Sequence, residues 1–341
     1  MSFKVVSCQN QTVKLFQNAI TNKRLAHAYI FTGQEGIGKV LFSKELAKAI
    51  FCQHPGRDAC DTCYHCQRIE NNAFSDLLFI LPEKNSRIIK IEQLKYLQEF
   101  LNVRPLESKQ KMVIIQSADK MNEEASNCLL KTLEEPPLYA IIILIVTSLD
   151  AVKDTIRSRC QIVRFSPLTF DSIKEILIHR FHVDCNQAEQ IASLSNGSME
   201  RAALLCDTHV LEKRNWLIDR LLRLECDDNL TFSKELLNEW HIQDLEVLEE
   251  KRVLVKELLL SFLLYYRDLL VCKSGGYELY YRDWKDALVL KSNSLSDDVL
   301  FRIVPVIKTS FEYLDHNANI TLLIENMVTK ILHLQRGVFS V

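Results

Sequence analysis

The sequence predicts an α/β fold: a phosphate-loop, parallel-sheet domain with a four-cysteine insertion, followed by all-helical domains. Three observations carry that prediction. Gly33-Gln34-Glu35-Gly36-Ile37-Gly38-Lys39 stands between a strand-like run, His27 to Phe31, and an amphipathic pattern, Leu41 to Phe51. Runs typical of buried strands alternate with helical periodicity, the pattern of a parallel sheet wrapped by helices. After Phe165-Ser166-Pro167 the strand signal ends and the chain reads as successive helices.

The elements follow in order. Val13 to Ile20 is apolar at helical spacing and leads into the His27 to Phe31 strand. The glycine loop and the Leu41 to Phe51 helix come next, then buried strands at Leu77 to Leu81 and Lys111 to Ile115, separated by a helix over Ile91 to Val103. Met121 to Leu133 is helical and is stopped by Pro136-Pro137, because proline lacks the amide a helix needs. Ile141 to Val146 is the most strand-like segment and is expected at the centre of the sheet. Beyond it, breaks fall at Asn196-Gly197 and Ser274-Gly275-Gly276, and Val253 to Leu270 and Ile320 to Ile331 carry wide apolar faces.

Composition narrows the function. With 341 residues, two or three compact units are expected. Lysine and arginine number 42 against 44 acidic residues, a net charge of -2 that excludes a wholly basic nucleic-acid coat. The hydrophobic fraction is 48% and the charged fraction 25%, a globular balance. The longest apolar runs, Ala140 to Val146 among them, fall far short of the ~20 residues of a bilayer crossing, and Met1 to Asn10 shows no secretory pattern. A cytoplasmic protein with reduced thiols is the expectation.

Only eight glycines occur, yet Gly33, Gly36 and Gly38 fall within six positions. Gly-x-x-x-x-Gly-Lys after a strand fits a loop whose amides and following helix N-terminus face phosphate while the lysine neutralises it, with an ordinary glycine turn as the alternative. Val40 follows Lys39, where a serine or threonine would give magnesium an oxygen. The strand Val113-Ile114-Ile115 ends in Gln116 and Ser117 where two acids are expected, and Asp119, further on, reads as a solvated or capping residue. The loop is therefore read as vestigial, with ATP binding doubtful.

Cys52, Cys60, Cys63 and Cys66 form Cys-x7-Cys-x2-Cys-x2-Cys, close enough for four thiolates to surround one tetrahedral zinc ion. His54 and His65 could substitute, and four free thiols are the alternative. Four sulfur ligands leave no place for an activated water, so the site is expected to be structural. The other seven cysteines, Cys8, Cys128, Cys160, Cys185, Cys206, Cys226 and Cys272, are scattered and expected to be small buried apolar groups.

Further segments complete a pattern: His27-Ala28-Tyr29-Ile30-Phe31-Thr32-Gly33, Leu129-Leu130-Lys131-Thr132-Leu133-Glu134-Glu135-Pro136-Pro137, Ile156-Arg157-Ser158-Arg159-Cys160, Asn196-Gly197-Ser198 and Arg267-Asp268-Leu269-Leu270. Together they resemble the delta-prime subunits of bacterial DNA polymerase III clamp loaders, of the AAA+ family, over most of the chain. The resemblance implies an AAA+ sheet domain over residues 1–166 with the insertion at 52–66, a small helical lid over 167–207 and an all-α collar over 208–341. It implies that Arg159, flanked by Ser158 and Cys160, is an arginine finger reaching a neighbouring subunit's ATP site, where its fork of donors stabilises charge on the transferred phosphoryl group. Where related ATPases carry a nucleotide-touching lid arginine, Glu200 stands here, with Arg201 one residue away.

The function so implied is a non-hydrolysing, stator-like subunit that helps load a sliding clamp onto primed DNA, with gamma/tau and delta subunits as partners. Two other classes stay open. An ATP-hydrolysing gamma/tau-like subunit is favoured by the Gly33 to Lys39 spacing and opposed by Val40, Gln116 and Ser117. A stand-alone zinc-dependent nucleic-acid binder is opposed by the net charge and the lack of a basic, aromatic stripe. Nothing in the chain resembles the paired metal-binding carboxylates of a polymerase centre.

Overall fold

The computed structural model describes residues 9–54, 56, 58–83, 88–224, 229–316 and 318–336. The chain divides into two compact units, Met1–Ala203 and Leu204–Val341. No helix among the described residues is long and apolar enough to cross a membrane.

The first unit is built on five parallel strands: β1 (Ala28–Thr32), β2 (Leu77–Ile80), β3 (Lys111–Ile115), β4 (Ala140–Val146) and β5 (Gln161–Arg164). Their order is β2-β3-β4-β1-β5, which puts β4 at the centre as its apolar run predicts. Helices α1 (Asn10–Thr21), α2 (Lys39–Phe51), α3 (Tyr64–Glu70), α4 (Ile91–Asn102), α5 (Glu123–Glu134) and α6 (Asp154–Arg157) accompany the sheet, and α7 (Phe170–Phe181) and α8 (Cys185–Leu194) follow it. All seven β4 residues are buried because both faces of the sheet are covered. Tyr29, Phe31, Ile141, Ile143 and Ile145 pack with Phe16 of α1 and Phe42 of α2, while Ala28, Ile30, Ile142 and Leu144 pack with Leu94 and Leu97 of α4 and Leu129 and Leu133 of α5. Phe165 closes the first layer, its ring 5.1 Å from Phe31 and 5.2 Å from Phe42. Each fully buried Ile, Leu or Phe side chain among them contributes about 1.5–3 kcal/mol.

β5, like the short helices α3 and α6, is an element that sequence periodicity does not reveal. It is four residues long, sits at the edge beside β1, and buries only Val163. With three exposed positions it carries no apolar run, and its pairing with Tyr29 to Thr32 makes it a strand.

α9 (Met199–Leu205) runs across the division between the units. The second unit holds α10 (Thr208–Arg223), α11 (Asn229–Glu239), α12 (Leu248–Lys273), α13 (Lys285–Ser294), α14 (Asp297–Asp315) and α15 (Ile320–Gln335). Its core gathers Trp240, Leu258, Phe262, Tyr266, Ile303 and Ile324. Arg214 lies buried there, donating to the Tyr281 hydroxyl at 2.9 Å with the Glu257 carboxylate 3.5 Å away. Asp268, from the Arg267-Asp268-Leu269-Leu270 segment, accepts from the amides of Tyr280 and Tyr281 at 2.8 and 2.9 Å and from Arg267 at 2.8 Å. It thereby ties the turn after α12 back to that helix. The expected breaks stand where they were read: Asn196 and Gly197 have φ of +50° and +82°, and Gly275, just past α12, has φ of +76°.

Candidate functional site

The glycine loop runs from the end of β1 into α2, as its spacing predicts. Gly38 caps α2 with φ of +89°, and Gly36 has φ of +76°, backbone shapes that L side chains rarely adopt. Two of the three N–H groups of the lysine ammonium are engaged within the loop. Lys39 is buried, and its Nζ donates to the carbonyls of Gly33 and Gln34, the latter at 2.6 Å. Burial pulls its pKa below the ordinary value, and the carboxylates of Glu35, Asp119 and Glu200 counter that pull.

The outer side of the loop is covered by the start of α9. The amides of Met199 and Glu200 donate to the Gly36 carbonyl at 2.8 and 3.4 Å. A Cβ on Gly36 would lie 2.1 Å from Ser198 Oγ and 2.8 Å from Glu200 Cβ. Glu200 therefore sits against the loop and acts on Lys39, and the segment that brings it there turns at Asn196-Gly197.

The ends of β3 and β4 complete the surroundings. Val40 packs in the aromatic layer, Gln116 donates its amide to Ile80, and Ser117 turns with φ of +53°. Asp119 departs from the sequence reading. It lies in a 3-10 turn, Ala118–Lys120, accepts from the Thr147 hydroxyl at 2.7 Å, and faces the loop lysine electrostatically, while Asn122 caps α5. The tight turn after Ser117 redirects the chain in a way that counting along an extended strand misses.

The second group is the cysteine cluster. The sulfur atoms of Cys52, Cys60, Cys63 and Cys66 all lie within 4.8 Å of one another, and the group could hold a metal ion. Ligation of zinc at about 2.3 Å would separate tetrahedral sulfurs by about 3.8 Å, so closing the set needs shifts of at most about 1 Å. The Thr62 hydroxyl pulls the Cys60 thiol down to about 5, whereas burial pushes Cys52 and Cys66 up. His54 is held above its ordinary value by its contact with Cys60, and His65 Nδ1 is engaged with the Phe51 carbonyl at 2.8 Å. The cluster is joined to the phosphate-loop helix: Cys52 follows α2 directly, and Lys48 of α2 pairs with Glu45, Asp61 and Glu70. Nothing in the sequence spacing marks Lys48 for that role.

The third group centres on Arg159. It follows α6, and its Nη1 donates to the Thr155 carbonyl at 2.8 Å and to Ser158 Oγ at 3.3 Å. Its Nη2 donates to Glu134 Oε1, at the end of α5, at 2.8 Å. Both partners are substantially exposed. Burial pushes the adjacent Cys160 thiol up to about 12, which keeps it neutral. Of the remaining cysteines, Cys128, Cys206 and Cys272 are partly buried, but Cys185 is exposed at the first position of α8, where helix geometry turns it to solvent. Cys8 and Cys226 lie outside the described residues.

A family profile described as DNA polymerase III, delta subunit, matches residues 8–169. The chain is 33% identical over 332 residues to the DNA polymerase III subunit delta' of Bacillus subtilis, covering 96% of this chain and 97% of that protein. It is 30% identical over 295 residues to the tau subunit of the same organism, covering 80% of this chain and 50% of tau. A solved gamma subunit-related protein from Thermotoga maritima superposes with a TM-score of 0.43 at 18% identity, covering 95% of this chain and 99% of the other.

Proposed function

The chain belongs to the delta-prime family of DNA polymerase III clamp-loader subunits, and from that premise we propose that it is a cytoplasmic, stator-like subunit that hydrolyses no ATP itself. Its AAA+ phosphate-loop sheet domain (1–166) is followed by a lid (167–207) and a collar (208–341), and it assembles with gamma/tau and delta subunits. Through them it helps place a sliding clamp on primed DNA.

The observation that carries this reading is the state of Lys39. A phosphate-binding lysine must offer its ammonium to the ligand, yet here two of its three N–H groups are held by carbonyls of its own loop while α9 covers the loop's outer side. Val40 offers no hydroxyl to magnesium, and Gln116 and Ser117 offer no carboxylate to hold the ion or orient water. These features support Gly33, Gly36, Gly38 and Lys39 as a vestigial loop.

Arg159, between Ser158 and Cys160, acts in trans on the ATP site of the neighbouring subunit. Its exposure and its fork of donors suit that task, since a guanidinium offers five N–H groups in a rigid plane. The four cysteines hold structural zinc, which would staple α3 and the preceding loop to the end of α2. Four sulfur ligands fill a tetrahedral ion, so that site has no part in hydrolysis.

Turnover of ATP by the isolated chain, and by the complex assembled with gamma/tau and delta, tests the reading. Expected are no turnover alone and DNA-stimulated turnover in the complex. Arg159→Ala is expected to lower the rate at the adjoining site on the order of 10³-fold. Turnover by the isolated chain that disappears in Lys39→Ala would instead establish a gamma/tau-like motor.

A further inference from the structure

We propose that Glu134 is the positioning residue for Arg159, holding its guanidinium in place before the neighbouring subunit presents an ATP phosphate. This rests on the reading of Arg159 as a finger acting in trans. It concerns how the finger is kept aimed, which motif spacing does not address.

Glu134 is the last residue of α5, where a carboxylate meets the negative end of the helix dipole. Locally that placement is unfavourable, and the 2.8 Å contact with Arg159 Nη2 offsets it. The backbone beneath Glu134 is firmly seated: Leu129 and Leu133, five residues back and adjacent, are buried against the sheet, and Pro136-Pro137 ends the helix just beyond. Arg159, by contrast, follows a helix of only four residues, α6, which supplies a single carbonyl anchor at Thr155. An arginine on so short an element retains much of its rotamer freedom unless something outside that element fixes it. Glu134 is that external fixing point.

The geometry of the pair favours aiming over sequestering. A carboxylate that competed with phosphate would take both teeth of the guanidinium fork. Here one carboxylate oxygen meets one nitrogen, Nη2, and Nη1 is occupied by Thr155 and Ser158. The Nε–H and the second Nη2–H have no partner among the described residues, so an anion can be gripped while Glu134 stays in place. Ordering the side chain in advance removes part of that entropy cost from the step in which the neighbour docks.

The test uses the assembled complex with gamma/tau and delta, primed DNA and single-turnover ATP hydrolysis. Glu134→Ala is expected to slow the chemical step about two- to fivefold, the span of an exposed ion pair, with ATP affinity and the melting temperature unchanged. Glu134→Gln, which keeps an acceptor oxygen, is expected to fall between Glu134→Ala and the natural protein. In an Arg159→Ala background, Glu134→Ala is expected to slow nothing further, because there is no side chain left to aim. A full rate in Glu134→Ala beside a slow Arg159→Ala overturns the positioning role alone. Equal slowing by Glu134→Ala in both backgrounds overturns it as well, marking a general effect on α5. A full rate in Arg159→Ala removes the finger reading, and this inference with it.

Discussion

Replacing Gly36 by alanine, beside the same change at Gly38, separates the two demands placed on the glycine loop. Both residues have positive φ, +76° and +89°, so both variants carry the left-handed penalty of about 1–2 kcal/mol. At Gly38 the added methyl meets nothing within 4 Å, and the penalty ends there. At Gly36 the methyl would stand 2.1 Å from Ser198 Oγ and 2.8 Å from Glu200 Cβ. Relief requires the start of α9 to move off, at about 1–3 kcal/mol for overpacking and about 0.5–1.5 kcal/mol for the Met199 to Gly36 hydrogen bond. Gly36→Ala is therefore expected to cost about 2.5–6.5 kcal/mol against about 1–2 for Gly38→Ala. Denaturant unfolding of the full chain measures the difference, and amide exchange locates it, with Met199 and the rest of α9 losing protection while β3 and β4 keep theirs. Equal costs for the two variants, or a Met199 amide that exchanges freely in the natural protein, would refute the closed loop.

With the four cysteines holding zinc as proposed, a metal chelator, or Cys66→Ser, is expected to expose the 52–66 segment to proteolysis and lower the melting temperature while leaving sheet amides protected; unchanged cleavage would remove the structural-metal reading. Glu107 is held below its ordinary carboxylate value by the Ser75 hydroxyl and by Arg68, so its native form binds fewer protons than the unfolded one. The melting-temperature advantage over Glu107→Gln is expected to be full above about pH 4.5 and to shrink as pH falls through the lower native value; an advantage that grows on acidification contradicts the sign. In the second unit, Glu257→Leu leaves the Arg214 charge buried and is expected to cost about 3–5 kcal/mol, with Arg214→Leu/Glu257→Leu recovering much of the loss in denaturant unfolding. A double variant worse than Glu257→Leu would show that the pair itself stabilises the core.

Much of this architecture is legible one residue at a time. β3 occupies Lys111 to Ile115, the residues its apolar run predicts, because a strand buried on both faces is a continuous apolar run. The four cysteines are legible for a related reason: short loops between ligands leave the thiols little choice but to converge. β5 is not, since Gln161 to Arg164 buries one side chain and takes its conformation from β1.

Local order along the chain, through apolar period, glycine clustering and proline stops, determined four of the five strands, the longer helices beside them and the helical second half. What the loop does with its lysine was decided by the tertiary structure. Lys39 is a phosphate ligand by spacing, but its charge is met by carbonyls that curl back on it and by Asp119 and Glu200, which stand 80 and 161 positions away in the sequence. The pairing of Arg159 with Glu134, 25 positions apart, has the same origin. Electrostatic and hydrogen-bonding partners are chosen by distance in space, and only the packing of α5, α6 and α9 around the sheet sets those distances.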